Sequence, residues 1–259
     1  MTPEMIDALT QLATQVQALA IQSGGVFARL GMVFALVPVF GERVIPARIR
    51  LAGALAMTAI VAPAVPVVPA PGDPLALAQF LMSEALVGVI LGMALRLMVM
   101  ALQIAGTIAA QATSLAQAFG GAGVDPQPAI AQLLVMGGLA LAVLTGFPER
   151  LAQFLVLSYT LFPAGDWPDA ADVARWGTDR IGQSFALAFS LAAPFVIAAS
   201  LYNLALGAIN RAMPQLMVAF VGAPALTLGG LALLLLAAPL MLGVWLPGLH
   251  ETLLNPVAP

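Results

Sequence analysis

The chain has 259 residues, of which 61% are hydrophobic and only 8% are charged. Soluble globular domains carry about 25% charged residues, so this composition excludes an ordinary soluble domain and predicts an integral membrane protein. The nine basic residues are all arginine and the net charge is −3, so no basic stripe is available for nucleic-acid binding. The absence of cysteine excludes disulfides, thiolate chemistry and cysteine-bound metals.

The first stretch, residues 5–21, places its apolar residues at helical spacing and fills the other face with Gln and Thr. This pattern predicts an amphipathic helix that lies at an interface or against a partner. Because Glu4 and Asp7 stand where a signal peptide has a positive region, the stretch is not expected to be a cleavable signal.

The rest of the chain is a series of apolar stretches that glycine and proline interrupt. A membrane helix needs about 20 apolar residues, and several of these stretches approach or exceed that length. They predict an all-α membrane protein built from proline- and glycine-broken helical hairpins. In chain order the stretches are 26–40, 51–70, 74–102, 128–147, 151–162, 181–209 and 217–246.

Two connections between the apolar stretches are polar enough to indicate a position relative to the membrane. Residues 41–50 carry Arg43, Arg48 and Arg50, and a short loop with three arginines is typical of the cytoplasmic side. Residues 165–180 form an acidic connection that contains two tryptophans, which is typical of a membrane interface.

A third connection, residues 111–132, is almost uncharged and rich in Gln, Ser and Gly. Gly120, Gly121 and Gly123 cannot hold a stable helix, and Asp125 with two prolines predicts a helix restart. A broken backbone in lipid leaves its polar groups unsatisfied, so such a loop is tolerated only inside protein or beside water. The residues alone leave two alternatives, a loop in a pore or closed gate and an ordinary turn outside the membrane.

Glu84 and Arg96 lie inside one long apolar stretch, where an ionisable residue is a candidate for function. They are too far apart in sequence to pair on one helix turn. Because no second acidic residue accompanies Glu84, pairing with another helix or subunit for assembly is the favoured interpretation of both. No catalytic motif, metal-ligand spacing or nucleotide loop is present, so we expect neither an enzyme nor a cofactor or metal site.

Asn210 and Arg211 precede Pro214, and a proline disfavours helical geometry at the residue before it. The helix that ends there leaves free carbonyl groups, which an arginine stabilises. This arrangement predicts the bend of a helical hairpin whose arms are residues 181–209 and 214–246.

The stretch "NLALGAINRAMPQLMVAFVGAPALTLG", residues 203–229, resembles the signature of the FliR family. These are export-gate subunits of the bacterial flagellar type III secretion apparatus, related to the SctT-type subunit of injectisomes. The stretch "PVFGERVIPARIRLAGALA", residues 38–56, and the glycine-rich segment that ends in Val-Asp-Pro resemble the family as well. Ala223 departs from the bulky residue that the family often has there, and Asn203 resembles the flagellar branch.

The resemblance implies a non-enzymatic core subunit of the export gate in the bacterial inner membrane, at the flagellar basal body. Such a subunit lines and plugs a conduit for unfolded flagellar proteins. The implied partners are FliP-like and FliQ-like subunits in a helical assembly, FlhB-like and FlhA-like export components, and membrane lipid. The alternative is a stand-alone small-molecule secondary transporter with broken helices around a midplane site.

The resemblance also assigns regions of the chain. Residues 1–180 resemble the FliP-type partner, and residues 181–259 form a hairpin that resembles the FliQ-type partner. Residues 111–128 are implied to plug the closed channel. The plug residues are Gln111, Ser114, Gln117, Phe119, Gly120, Gly121, Gly123 and Asp125.

Overall fold

The computed structural model describes residues 3–37, 46–67, 71–113, 129–213 and 218–256, and for 218–227 it describes the backbone alone. The described residues form helices and short connections, with no strand among them. A 3-10 turn, Ala62–Ala64, follows α2. The helices are α1 (Pro3–Leu36), α2 (Ala47–Val61), α3 (Pro74–Thr113), α4 (Ala129–Leu144), α5 (Phe147–Leu161), α6 (Ala170–Ala212) and α7 (Val218–Leu254).

Five helices in the described part of the chain are long and apolar enough to cross a membrane. They are α1, α2 with its 3-10 turn, α3, α6, and α7 over Leu228–Leu254, and the pair α4 and α5 together forms a sixth, broken candidate. The prediction of an all-α membrane protein is therefore confirmed.

The first helix is longer than the sequence predicts. We expect a helix over 5–21 and a separate apolar stretch from 26, yet α1 is one helix of 34 residues that continues through Gly24 and Gly25. A side chain at Gly25 would overlap the ring of Phe80. This close contact between α1 and α3 offsets the cost of about 1 kcal/mol that a glycine imposes on a helix.

The acidic connection predicted over 165–180 is also mostly helical, because α6 begins at Ala170. The Oδ1 atom of Asp169 accepts hydrogen bonds from the backbone N–H groups of Ala171 (2.9 Å) and Asp172 (3.0 Å). Asp169 thereby satisfies free donors at the start of the helix, as an N-terminal capping residue does. Farther along, α6 continues through Pro194.

The predicted apolar stretches 128–147 and 151–162 correspond to α4 and α5. Between them Gly146 adopts a φ of 86°, in the left-handed region that favours glycine. Phe147 then starts α5 and Pro148 stands in its first turn, where its missing N–H costs nothing. The chain is broken at this point, as its glycine and proline predict.

The chain divides into two compact units. Unit 1 contains Met1–Arg96, Gly146–Thr178 and Glu251–Pro259, and unit 2 contains Leu97–Thr145 and Asp179–His250. The core of unit 1 includes Leu30, Val33, Val87, Leu91 and Phe154, and that of unit 2 includes Leu102, Leu134, Phe195 and Trp245. The predicted division between residues 180 and 181 concerns resemblance to partner subunits and stays a prediction.

Candidate functional site

Two glycines bring α1 and α3 close together in unit 1. A methyl group at Gly88 would overlap the backbone carbonyl oxygen of Arg29, and one at Gly92 would lie 2.9 Å from the Cβ atom of Leu36. Because these positions carry no side chain, the two backbones approach closely. The approach places Arg29 of α1 opposite Glu84, one turn before Gly88 on α3.

Arg29 and Glu84 form a two-point ion pair that is removed from solvent. The Nε atom of Arg29 lies 2.9 Å from Oε2 of Glu84, and its Nη2 atom lies 2.9 Å from Oε1. The side chains are 0% and 1% exposed, respectively. Parallel hydrogen bonds of this kind are among the strongest that arginine and carboxylate make.

Donors and acceptors from α5 and the following connection complete this charge cluster. Arg29 donates from Nη1 to the Ser158 hydroxyl (3.1 Å) and from Nη2 to the carbonyl of Phe162 (3.0 Å). Glu84 accepts from the Tyr159 hydroxyl (3.1 Å) and from the backbone N–H of Gly165 (3.0 Å). The guanidinium carbon also lies 3.7 Å from the centre of the Tyr159 ring, which adds a cation–π contact.

The cluster ties α1, α3, α5 and the connection to α6 into one arrangement. A cavity of about 10 Å³ adjoins Glu84 and Tyr159, which is room for a single water molecule at most. Each carboxylate oxygen of Glu84 already accepts two hydrogen bonds. The geometry therefore supports a structural role in unit 1.

Sequence reasoning singled out Glu84 and missed Arg29 as its partner. Part of the signal was available, because each is an isolated charge on an apolar helix and opposite charges of this kind pair in membrane proteins, but the sequence does not select Arg29 among the arginines. Gln22 was also missed. Its Nε2 atom donates to the carbonyls of Ala62 (2.8 Å) and Val65 (3.3 Å) after the end of α2, where carbonyl groups lack helical partners.

The other predicted charges lie outside this cluster. Arg96 is half-buried on α3 and has an interaction of its own; it is about 18 Å along the helix from Glu84. Arg48 is exposed in the first turn of α2 and Arg50 is half-buried beside it, whereas Arg43 lies outside the described residues.

The predicted hairpin bend is described only in part. Asn210 and Arg211 are exposed in the last turn of α6, and Pro214 lies outside the described residues. The backbone N–H of Met213 still bonds to the carbonyl of Ile209 at 2.8 Å, which extends the helical pattern to the last described residue before Pro214.

Only the first of the predicted plug residues lies in the described part of the chain. Gln111 is exposed in the last turn of α3, which continues to Thr113, so 111–113 are helix and not loop. The other plug residues lie outside the described part of the chain. They are Ser114, Gln117, Phe119, Gly120, Gly121, Gly123 and Asp125.

Residues 21–252 match the family described as bacterial export proteins, family 1. The chain is 36% identical over 232 residues to the flagellar biosynthetic protein FliR of Caulobacter vibrioides, across 88% of this chain and 92% of that relative. The chain belongs to the FliR family. FliR of Escherichia coli is 27% identical over 209 residues, 79% of each chain. FliR of Bacillus subtilis is 29% identical over 208 residues, 77% of this chain and 79% of the relative.

Membership of the FliR family confirms the resemblance carried by residues 203–229 and 38–56. With the membrane-capable helices, it makes the chain a membrane component of the flagellar export apparatus. The FliR match begins at residue 21, so it includes Gln22, Arg29 and Glu84 and leaves out the exposed start of α1.

Proposed function

We propose that this FliR-family chain is a non-catalytic core subunit of the flagellar export gate in the bacterial inner membrane. It lines, and when closed plugs, the conduit for unfolded flagellar proteins. Its neighbours are FliP-like and FliQ-like subunits in a helical assembly, together with FlhB-like and FlhA-like components. The observation that carries the proposal is the length of exposed apolar helix that the chain presents.

The apolar helices are longer than a bilayer can cover. Residues 181–210 of α6 contain no charged residue, and at 1.5 Å per residue they extend about 45 Å. The hydrocarbon core is about 30 Å thick, and even a tilt of 40°, at the upper end of observed values, lengthens the covered path to about 39 Å. Part of this apolar surface therefore needs protein to cover it.

Exposure on α7 supports the same conclusion. Only 22% of its most apolar window is buried within the chain. Leu235, Leu236 and Val244 are 78%, 71% and 59% exposed, and Val244 lies about 180° around the helix from Leu235, so apolar side chains project on opposite sides of the helix. A helix that is apolar all round is surrounded by other helices or by lipid. FliP-like and FliQ-like helices would supply the protein part of that cover.

The plug role is assigned to residues 111–128, which connect α3 to α4 in unit 2. With Gln111 and its two neighbours helical, the closing part of this segment is 114–128. Its glycines, Gln117 and Ser114 suit a watery passage, because such a backbone cannot sit against lipid without unsatisfied polar groups. Phe119 supplies apolar bulk to obstruct the passage.

Two further assignments complete the proposal. The basic segment that contains Arg43 and, at the start of α2, Arg48 and Arg50 faces the cytoplasm, as the positive-inside rule predicts. Asn210, Arg211 and Pro214 form the bend between α6 and α7, and this hairpin takes the place of a FliQ-like subunit in the assembly.

The test is to express the tagged chain alone and together with its FliP-like and FliQ-like partners, and to measure the mass of what purifies. We expect the partners to co-purify in fixed ratio and the chain alone to yield little stable monomer. A stable monomer that takes up a small solute into liposomes would instead support the stand-alone transporter and contradict the gate.

A variant of α7 makes the test sharper. Leu235→Trp adds bulk that fluid lipid accommodates but a packed helix interface does not, so we expect it to lower recovery of the complex. Leu235→Met keeps the volume and is the matched control, with recovery close to that of the natural chain.

A further inference from the structure

An apolar groove runs along α5 and the last turn of α7 in unit 1. Its volume is about 260 Å³. Phe154 and Leu253 are buried and form its floor, whereas Leu157 and Leu254 are exposed and form its open edge. The groove thus begins against the protein core and continues onto surface that the described chain leaves uncovered.

The groove is polar at one end and apolar at the other. Arg150, Gln153, Phe154 and Leu157 are spaced three, four and seven residues apart, which puts them on one face of α5. The two polar residues stand toward the N-terminus of the helix, and Leu157 lies about 10 Å from Arg150 along the axis. This polarity matches an amphiphile with a short polar head.

Arg150 is a half-buried cation that has no ion pair or side-chain hydrogen bond with the described part of the chain. In contrast, the guanidinium of Arg29 has four such hydrogen bonds. The neighbouring carboxylate of Glu149 lies near Gly146, between α4 and α5. Its Oε2 atom is 3.5 Å from the position that a Cβ atom on Gly146 would occupy. The guanidinium nitrogens of Arg150 are not among the buried atoms that lack a partner, so they are open to an anion from outside the described chain, which would accept charge-assisted hydrogen bonds.

We propose that this groove binds one anionic phospholipid. Its phosphate contacts Arg150 and Gln153, the first methylenes of one acyl chain lie over Phe154 and Leu253, and the rest of that chain follows Leu157. Phospholipid is the anion that surrounds a membrane protein, and the open apolar end accepts a tail. A small soluble anion such as inorganic phosphate would use Arg150 but leave this end uncovered. The inference rests on the membrane location of the chain and not on the proposed conduit.

The test measures lipid retained by the chain, purified with the partners that co-purify with it, in nanodiscs of equal phosphatidylglycerol and phosphatidylcholine. Native mass spectrometry should find phosphatidylglycerol retained about fivefold over phosphatidylcholine, because the choline cation offsets the phosphate charge in phosphatidylcholine and phosphatidylglycerol keeps a net negative charge. Arg150→Gln should bring the ratio close to one, and Arg150→Lys should keep part of the preference. The control is Arg175→Gln, which removes an exposed arginine elsewhere in unit 1 and should leave the ratio unchanged.

Two arms separate a lipid from other anions. Leu254→Ser alters only the exposed, apolar end, and it should weaken retention of phosphatidylglycerol although Arg150 is intact. Millimolar inorganic phosphate should not displace the lipid. The proposal is overturned by displacement with phosphate, by equal retention of both lipids in the natural chain, or by an Arg150→Gln variant that keeps the preference. It is also overturned by a crosslink from position 150 to a partner chain in complexes that retain no lipid.

Discussion

Arg29 on α1 and Glu84 on α3 form an ion pair with two N–O distances of 2.9 Å, and both side chains are buried. Removing two charges from water costs several kcal/mol each, and their attraction compensates for this cost only with good geometry and satisfied remaining groups. Here Ser158, Tyr159 and two backbone groups satisfy them. Removing one residue of the pair should therefore cost more stability than replacing both residues with apolar ones.

Arg29→Met should destabilise unit 1 strongly, because it leaves the carboxylate of Glu84 buried without its cation. Breaking one side of a buried pair costs about 3–5 kcal/mol. The measurement is thermal or denaturant unfolding of the chain in detergent, purified with the partners that co-purify with it and followed by circular dichroism. The expected result is a lower midpoint and a lower yield.

A double variant separates this cost from lost packing. Arg29→Met combined with Glu84→Leu removes both charges and should recover part of the stability, since apolar replacements of buried pairs are often neutral or better, while the Tyr159 hydroxyl and the Gly165 N–H lose their acceptor. Arg175→Met is the control. Its pair with Asp172 is exposed on both sides, so the expected loss is below about 1 kcal/mol. A single variant at Arg29 that unfolds like the natural chain would contradict the role given to the cluster.

Gly88→Ala should disturb the contact between α1 and α3. The added methyl group would meet the Arg29 carbonyl oxygen, and this backbone atom cannot move without shifting the helix. We expect a lower unfolding midpoint, although alanine by itself favours helix by about 1 kcal/mol over glycine.

The matched control for Gly88 is Gly177→Ala. Gly177 also lies in a helix of unit 1, but a Cβ atom there has no neighbour within 4 Å. It should therefore leave the midpoint unchanged or raise it. If both substitutions change the unfolding midpoint equally, the close contact with Arg29 is not the reason for a glycine at position 88.

The sequence predicted the class of fold and the existence of most helices, because these depend on composition and apolar length. The sequence did not predict that α1 continues through Gly24 and Gly25. A glycine that ends a helix and a glycine that leaves room for a neighbouring ring, as Gly25 does for Phe80, look the same in a sequence. The prediction also failed at the start of α6, where charge and tryptophan favoured a loop. Asp169, with Asp172 three residues later, is a pattern that indicates the start of a helix, and the backbone N–H of Asp172 does donate to Asp169.

The charge cluster was only half predictable. An isolated Glu84 in an apolar stretch signals a buried partner, but the sequence offers several arginines and no spacing rule that selects one. Arg29 is selected by tertiary structure, namely the close approach of α1 and α3 at Gly88 and Gly92. The hydrogen bonds from Gly165 and to Phe162 involve backbone groups, which a sequence pattern does not reveal.

Trp245→Phe should destabilise unit 2 by about 1–3 kcal/mol. Trp245 is fully buried, and its indole Nε1–H donates to the carbonyl of Met98 at 2.7 Å. Phenylalanine removes this donor and leaves a small void beside Gly138, whose missing side chain makes room for the indole. Unfolding in detergent measures the loss.

Trp167→Phe is the control for this substitution, because Trp167 is 55% exposed and has no side-chain hydrogen bond to a described residue. It should shift the midpoint little. Equal shifts for the two variants would show that the hydrogen bond to Met98 and the packing around Trp245 contribute nothing measurable.

Deleting residues 116–123 should make the assembled complex leak ions. The deletion removes the glycines and Phe119 that we propose obstruct the passage, and it keeps Gln111–Thr113 because they belong to α3. Conductance of planar bilayers that contain the purified complex should rise from baseline to open-channel steps. In cells, the same variant should slow growth when expressed with its partners.

The deletion is informative only where the complex still assembles, so co-purification and mass are measured on the same sample. Gly72→Ala is the control, because Gly72 is exposed in a connection and an added Cβ atom would have no neighbour within 4 Å, and it should keep baseline conductance. An assembled deletion variant that neither conducts ions nor changes secretion would refute the plug, while leaving membership of the export apparatus intact. The reason is that membership rests on the family match and on the membrane-capable helices, and not on what residues 114–128 do.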